Sequence, residues 1–226
     1  MVLHLAQATE DDSARAAAIE KVAYGPSPVS AVLYPEPRPT EGNSRAADLI
    51  SQLRADPACR WFKVVDSDLD GSSEDKIVAF AMWYVWITPP SSSLSGARGP
   101  GSNPEACELF FGGMNRKRDE LMSGKPYVYL KLLHTEPKHQ KRGAASLLLE
   151  WGLGEADRLG FPAFLESSEQ ARPLYEKWGF NEVDRLTVDF SPWGGPSKIE
   201  VPLMLRLPQG QSAGETVAAG PARPES

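Results

Sequence analysis

Gln140, Lys141, Arg142, Gly143, Ala144, Ala145 and Ser146 combine small side chains and two cations, and a leucine-rich helical run follows at Leu147, Leu148 and Leu149. Small side chains let a ligand come close to the backbone, and a helix that starts here presents N–H groups with no partner in a preceding turn. With the positive end of the helix dipole and the charges of Lys141 and Arg142 beside them, those donors suit an anion, phosphate above all. The stretch therefore reads as a cradle for a pyrophosphate. Two familiar phosphate loops fail the comparison: the chain has no G-x-x-x-x-G-K-[ST], and no G-x-G-x-x-G follows a strand.

The elements around the turn must position it. Tyr127 to Thr135 is rich in β-branched, aromatic and leucine side chains on both faces, as suits a strand covered by helices on each side. Pro137 ends that strand, because proline has no N–H to give a ladder. Beyond the helix, Gly160, Phe161 and Pro162 turn the chain into a short strand at Ala163 to Glu166. Ser167 to Gln170 then precede a helix from Ala171 to Trp178, with Gly179 as its C-cap.

The pattern Gln140-x-x-Gly143-x-Ala145, with Pro137 ahead and the leucine-rich helix behind, resembles the acyl-CoA signature Q/R-x-x-G-x-G/A of the GNAT N-acetyltransferase superfamily. Downstream, Leu174, Tyr175, Glu176, Lys177, Trp178, Gly179 and Phe180 resemble the L-Y-E-K-x-G-F block that the family carries after its next strand. The likeness, to small fungal-type members, spans roughly Leu5 to Leu207, sharply in the second half and by element order in the first. Ala145 stands where glycine is commoner, and alanine leaves the backbone amides available.

The resemblance implies an α/β fold (α+β, with a mixed sheet flanked by helices) in which the central strand and the next one splay apart. It implies acetyl-CoA as cosubstrate, with no metal, and a primary amine as acceptor. By position, the backbone of Leu133, His134 and Thr135 would meet the pantetheine arm and acyl carbonyl. Amides from Lys141 to Ser146, Gly143, Ala144 and Ala145 among them, would hold the pyrophosphate, with Gln140, Lys141 and Arg142 lining its approach. Ser168 stands where many members have asparagine, and its hydroxyl can still bond the pantetheine. Tyr175 matches the family tyrosine that protonates the leaving thiolate.

Acetyl transfer needs a neutral amine, stabilisation of an oxyanion and a proton for the thiolate. A phenol, with a reference pKa near 10, is a plausible acid for that last step. Taken alone, Tyr175 reads as a helix aromatic packed on the sheet, and its place in the LYEKWGF block reverses that preference. For the base, Glu166 lies on the strand beside the cleft and shares alternation with Ser168. Tyr129 and His134 follow it as candidates, and a water chain would also serve. An isolated glutamate near a strand end is more often solvated or ion-paired, and His134 reads better as a packing or locally bonded residue.

The remaining chain narrows the function. At 226 residues it is long enough for one sizeable core. We expect one domain over residues 1–207, a flexible Pro/Ser/Gly insertion at 89–104 and a disordered tail over 208–226. A net charge of −6 argues against a nucleic-acid partner and favours a cationic acceptor. Cys59, Cys107, His4, His134 and His139 show no zinc spacing, and the acidic run Asp66 to Asp75 lacks the glutamate that would close a calcium loop. No run approaches a membrane span, and no leader pattern opens the chain. The expected setting is cytoplasmic, with the nucleus open, and the expected state a monomer or homodimer acting on a small-molecule or peptide amine.

In the first half, Val2 to Gln7 reads as a strand, Asp12 to Tyr24 and Asn43 to Arg54 as helices, and Arg60 to Val65 with Lys76 to Trp86 as a hairpin. Gly25 to Thr40, with five prolines, reads as irregular. Glu105 to Met122 reads as a helix, and Asn181 to Phe190 with Ile199 to Leu207 as a closing antiparallel pair. Rival functions are a non-catalytic acyl-CoA-binding module, transfer to a protein N-terminus or lysine, and transfer of an acyl group longer than acetyl.

Overall fold

The computed structural model describes residues 2–25, 27–35, 45–89, 101–122 and 124–210. Its strands are β1 (Leu3–Gln7), β2 (Cys59–Asp66), β3 (Ile77–Trp86), β4 (Tyr127–Thr135), β5 (Ala163–Glu166), β6 (Asn181–Val188) and β7 (Ile199–Arg206). They form a seven-stranded mixed sheet in the order β1-β2-β3-β4-β5-β7-β6, the α/β architecture expected from the sequence. Only β4 and β5 run parallel, because the chain between them crosses over through a helix, as parallel neighbours require.

That crossover helix is α6 (Ala144–Leu159), and with α7 (Arg172–Lys177) it covers one face of the sheet. Leu148, Leu149 and Leu153 of α6 pack there on Ala81, Trp83 and Leu130. On the other face Phe80, Met82, Tyr129 and Phe164 meet Ala16 of α1 (Ser13–Tyr24) and Leu49 of α3 (Arg45–Ala55). Successive strand residues point to opposite faces, so a sheet covered on both sides needs apolar side chains at every position. The run IVAFAMWYVW in β3 follows from that.

Two expectations from the sequence change. The stretch Gly25 to Thr40 is not wholly irregular: Pro28–Leu33 forms a short helix, α2. Proline is tolerated at a first helical position, where its missing N–H would have no partner anyway. Val32 and Leu33 then bury themselves against Ala106 and Phe190. Residues 36–44 lie outside the described residues.

The single helix expected at Glu105 to Met122 is three pieces: α4 (Pro104–Cys107), a wide π turn at Glu108–Gly112, and α5 (Gly113–Met122). Asn103 caps the start, its side-chain oxygen accepting from the Ala106 N–H at 3.1 Å. The mobility expected of 89–104 and of the tail falls largely on residues 90–100 and 211–226, which lie outside the described residues.

The feature that positions a site is the parting of β4 and β5. β4 pairs with β3 along its whole length, from Tyr127 opposite Trp86 to Thr135 opposite Ala79, with a bulge near Lys131. It pairs with β5 only from Val128 to Leu130. β5 instead stays with β7 through Glu166 opposite Leu203, and the Ser167 N–H continues that direction by donating to the Pro202 carbonyl at 2.8 Å. A gap opens between the strands beyond Leu130.

Candidate active site

The turn after β4 is built by backbone conformations that few residues adopt. A 3-10 turn at Pro137–His139 leads to an extended Gln140, a left-handed Lys141 at φ 60° and a left-handed Gly143 at φ 94°. Lys141 is the only non-glycine residue at positive φ among the described residues, a conformation that costs about 1 kcal/mol for a side chain with a Cβ. α6 then starts at Ala144, and the first bond back into it is Leu147 N–H to the Gly143 carbonyl at 3.2 Å. Among the described residues the amides of Lys141, Gly143, Ala144, Ala145 and Ser146 have no acceptor. A Cβ at Gly143 would meet nothing within 4 Å, so open space lies over these donors.

A charged cluster under the turn holds its shape. The Arg142 guanidinium donates to the buried Asp66 carboxylate at 2.5 Å and lies 2.6 Å from His139 Nδ1. Burial lowers the His139 pKa, so its neutral ring accepts at Nδ1. Glu136 accepts from Arg15 at 2.5 Å; burial raises the carboxyl pKa, but Arg15 and Lys138 together outweigh it and keep the group ionised. Gln140 Nε2 donates to the Thr135 carbonyl at 3.3 Å. Of the three polar side chains expected to line the phosphate approach, Arg142 and Gln140 therefore brace the turn, while Lys141 stands exposed at its rim.

Leu133, His134 and Thr135 all lie beyond the last β4–β5 rung, where expected. His134 and Thr135 are buried, and His134 Nδ1 and Thr135 Oγ1 have no partner among the described residues. The Tyr24 ring stands edge-on to His134 at 4.9 Å. Burial lowers the His134 pKa, which leaves the imidazole neutral at pH 7. Of the two expectations for His134, packing is the one observed, and its Nδ1 makes no local bond among the described residues.

Tyr175 on α7 is buried and packs edge-to-face on Phe180 at 5.9 Å. Burial, then the Tyr24 phenol, push its pKa up, so it keeps its proton at neutral pH. Ser168 is exposed, and its Oγ accepts from the Ala171 N–H at 3.1 Å, capping the turn into α7.

Glu166 is enclosed. Its Oε2 accepts from the Tyr129 hydroxyl at 2.7 Å and its Oε1 from Arg118 Nη1 at 3.0 Å; its side chain is 9% exposed and that of Arg118 3%. Arg118 also bonds Asn115 at 2.9 Å and lies over the Tyr129 ring. The sequence reading missed Arg118, which sits in a charged run beside Arg116 and Lys117. A signal existed: Met114, Arg118 and Met122 are spaced by four, one face of a helix, and that face is the buried one.

Comparison with known proteins adds to this geometry. The model of the acetyltransferase (GNAT) family matches residues 30–180. A stretch of 70 residues is 31% identical to the probable acyltransferase SID5 of Ajellomyces capsulatus, covering 30% of this chain and 52% of that protein, about half of its length. Arabidopsis thaliana NAA60, solved with a bisubstrate analogue, superposes with a TM-score of 0.59 at 13% identity, over 93% of this chain and 100% of that one. The histone acetyltransferase HPA2 and related acetyltransferase from Corynebacterium glutamicum gives 0.58 at 18% identity, over 94% and 99%. The ribosomal-protein-S18-alanine N-acetyltransferase of Escherichia coli gives 0.55 at 16% identity, over 94% and 97%. At these identities the structural likeness is one of fold.

Proposed function

Because the chain belongs to the acetyltransferase (GNAT) family, we propose that this acyltransferase moves an acetyl group from acetyl-CoA to a primary amine by direct attack. The observation that carries the reading is one juxtaposition. The amides at Gly143 to Ser146 have no acceptor among the described residues, and the β4 edge that leads to them has no rung to β5 beyond Leu130. The first suits a pyrophosphate and the second an extended arm that adds itself to a strand edge. Bound there, acetyl-CoA supplies an acyl carbon activated as its thioester.

The chain's own groups supply the rest. Lys141 adds charge at the rim, and Leu133, His134 and Thr135 offer backbone to the arm. Tyr175, protonated by virtue of its burial, donates to the departing sulfur. Glu166, with both oxygens occupied, holds Arg118 and Tyr129 in place at the point where β4 and β5 part, and we assign it that role ahead of proton abstraction.

Two measurements test the reading. Calorimetric titration with CoA should give micromolar binding to the wild type and none to Gly143→Glu, whose carboxylate would enter the phosphate space while the fold stays intact. Free-thiol release from acetyl-CoA with a mixed-amine panel should then be amine-dependent. Binding without thiol release under any amine would replace this reading with a non-catalytic acyl-CoA-binding module.

A further inference from the structure

We propose that the His134 ring, rather than a carboxylate, takes the proton from the acceptor amine, with Tyr24 holding the ring in place. This rests on the acetyl-transfer reading above.

Placement is the first support. His134 stands opposite Phe80 on β3, and directly opposed residues of antiparallel strands share a face. Phe80 belongs to the core under α1 and α3, so the imidazole lies on that face. Tyr175 belongs to the core under α6 and α7, on the other face. A base on the first face and an acid on the second can each serve a separate proton transfer, one at the arriving amine and one at the leaving sulfur. His134 lies beyond the last β4–β5 rung at Leu130, and the Tyr24 ring stands edge-on to it.

The second support is the unpartnered Nδ1 of the ring. The residue is buried, at 8% exposed, yet Nδ1 meets no donor or acceptor among the described residues. Buried polar atoms are ordinarily satisfied, and an orphan calls for an explanation such as a bound group. The charged groups that act on it are Glu20 of α1 and Arg45 of α3, locked to each other at 2.8 and 2.9 Å. They oppose one another, and burial keeps the ring neutral, the form a base requires. Glu166, the alternative base, has no oxygen without a partner.

The proton count balances. An acceptor ammonium gives one proton to the imidazole, and its neutral nitrogen attacks the thioester carbon. The N–C bond forms, the C–S bond breaks, and the Tyr175 hydroxyl proton goes to sulfur. The extra proton on the new amide nitrogen returns to the Tyr175 oxygen through water, and the imidazolium releases its proton to solvent.

The test uses the full chain, the best alkylamine from the panel, and methoxyamine, which is already neutral at pH 7. For His134→Gln, kcat/KM with the alkylamine should fall by roughly 10²–10⁴-fold, the range of one positioned base. The loss with methoxyamine should stay under about tenfold, and CoA affinity should not change. Equal losses with both amines, or no loss with either, overturn the proposal. Should His134→Gln fail to fold, the wild-type pH profile decides. With the alkylamine an acid limb should appear below the ordinary histidine value of about 6.5, and with methoxyamine that limb should be absent; a profile without this difference overturns the proposal. Failure of the wild type to release thiol with any amine, with CoA still bound, is a different result: it overturns the transfer reading itself.

Discussion

The Tyr129 phenol donates to Glu166 across 2.7 Å, and Arg118 closes the triangle at 3.0 Å from each of them. This contact joins β4 to β5 one residue past Leu165, the last β5 position paired with β4. Removing one member of a buried charge pair strands the other, at a cost of about 3–5 kcal/mol. Arg118→Met should therefore lower stability by that order in denaturant unfolding at pH 7. Glu166→Gln keeps the shape and one acceptor but leaves the buried Arg118 without its anion, so it should cost a similar amount. Its turnover per folded molecule should stay within about tenfold of wild type, below the 10²–10⁴-fold effect of a proton-transfer group; a larger loss in thiol release would make Glu166 the base.

Tyr175→Phe keeps the ring and its contact with Phe180 but removes the proton. Turnover should drop by roughly one to three orders of magnitude, with acetyl-CoA affinity nearly unchanged. Since burial raises the phenol pKa, the alkaline limb of the wild-type turnover profile should lie above the ordinary value of about 10. A mutant that melts, or that binds CoA poorly while its folded fraction turns over normally, would show Tyr175 to be structural.

Asp157 of α6 receives both nitrogens of Arg206 on β7, at 2.8 and 2.9 Å. That pairing holds its carboxyl below the usual range, against the opposing effect of burial. A depressed folded-state pKa stabilises the protein above the unfolded value and loses that contribution as pH falls through the folded one. Asp157→Asn should thus cost about 1 kcal/mol at pH 7, and thermal melts of mutant and wild type should converge as pH drops below about 4. A constant difference across that range would rule out the ion pair as the source.

Gly152 and Gly154 lie two residues apart in α6, and their substitutions should act in opposite directions. A Cβ on Gly152 would sit 2.3 Å from Cζ2 of the Trp83 indole, which is fully buried and cannot move aside. Gly152→Ala should destabilise by about 1–3 kcal/mol, as overpacking does, despite the better helix propensity of alanine. A Cβ on Gly154 meets nothing within 4 Å, so Gly154→Ala should stabilise by about 0.5–1 kcal/mol. Urea melts of the two variants compare the signs directly.

Much of the site was legible in the chain because it rests on local rules. Pro137, Gly143 and the leucines after Ser146 end a strand, form a tight turn and start a helix by their own conformational limits, and the amides are left unpaired as a consequence. Gly179 caps α7 for a similar local reason. The apolar side chains on both faces of Tyr127 to Thr135 likewise told that this strand is covered on each side, although α2 was hidden because five prolines outweighed the one that fits a first helical turn.

The amino-acid sequence by itself determined where the strands and most of the helices fall, since propensity, proline and glycine act within a few residues, but not α2 or the break at Glu108–Gly112. Tertiary structure alone decided which chemically equal residues differ in role. Arg118 faces Glu166 while Arg116 faces solvent, Nδ1 of His134 has no partner among the described residues while Nδ1 of His139 meets Arg142, and Gly152 lies on an indole while Gly154 lies in open space. Each distinction depends on a neighbour brought from a distant part of the chain, so no local pattern encodes it.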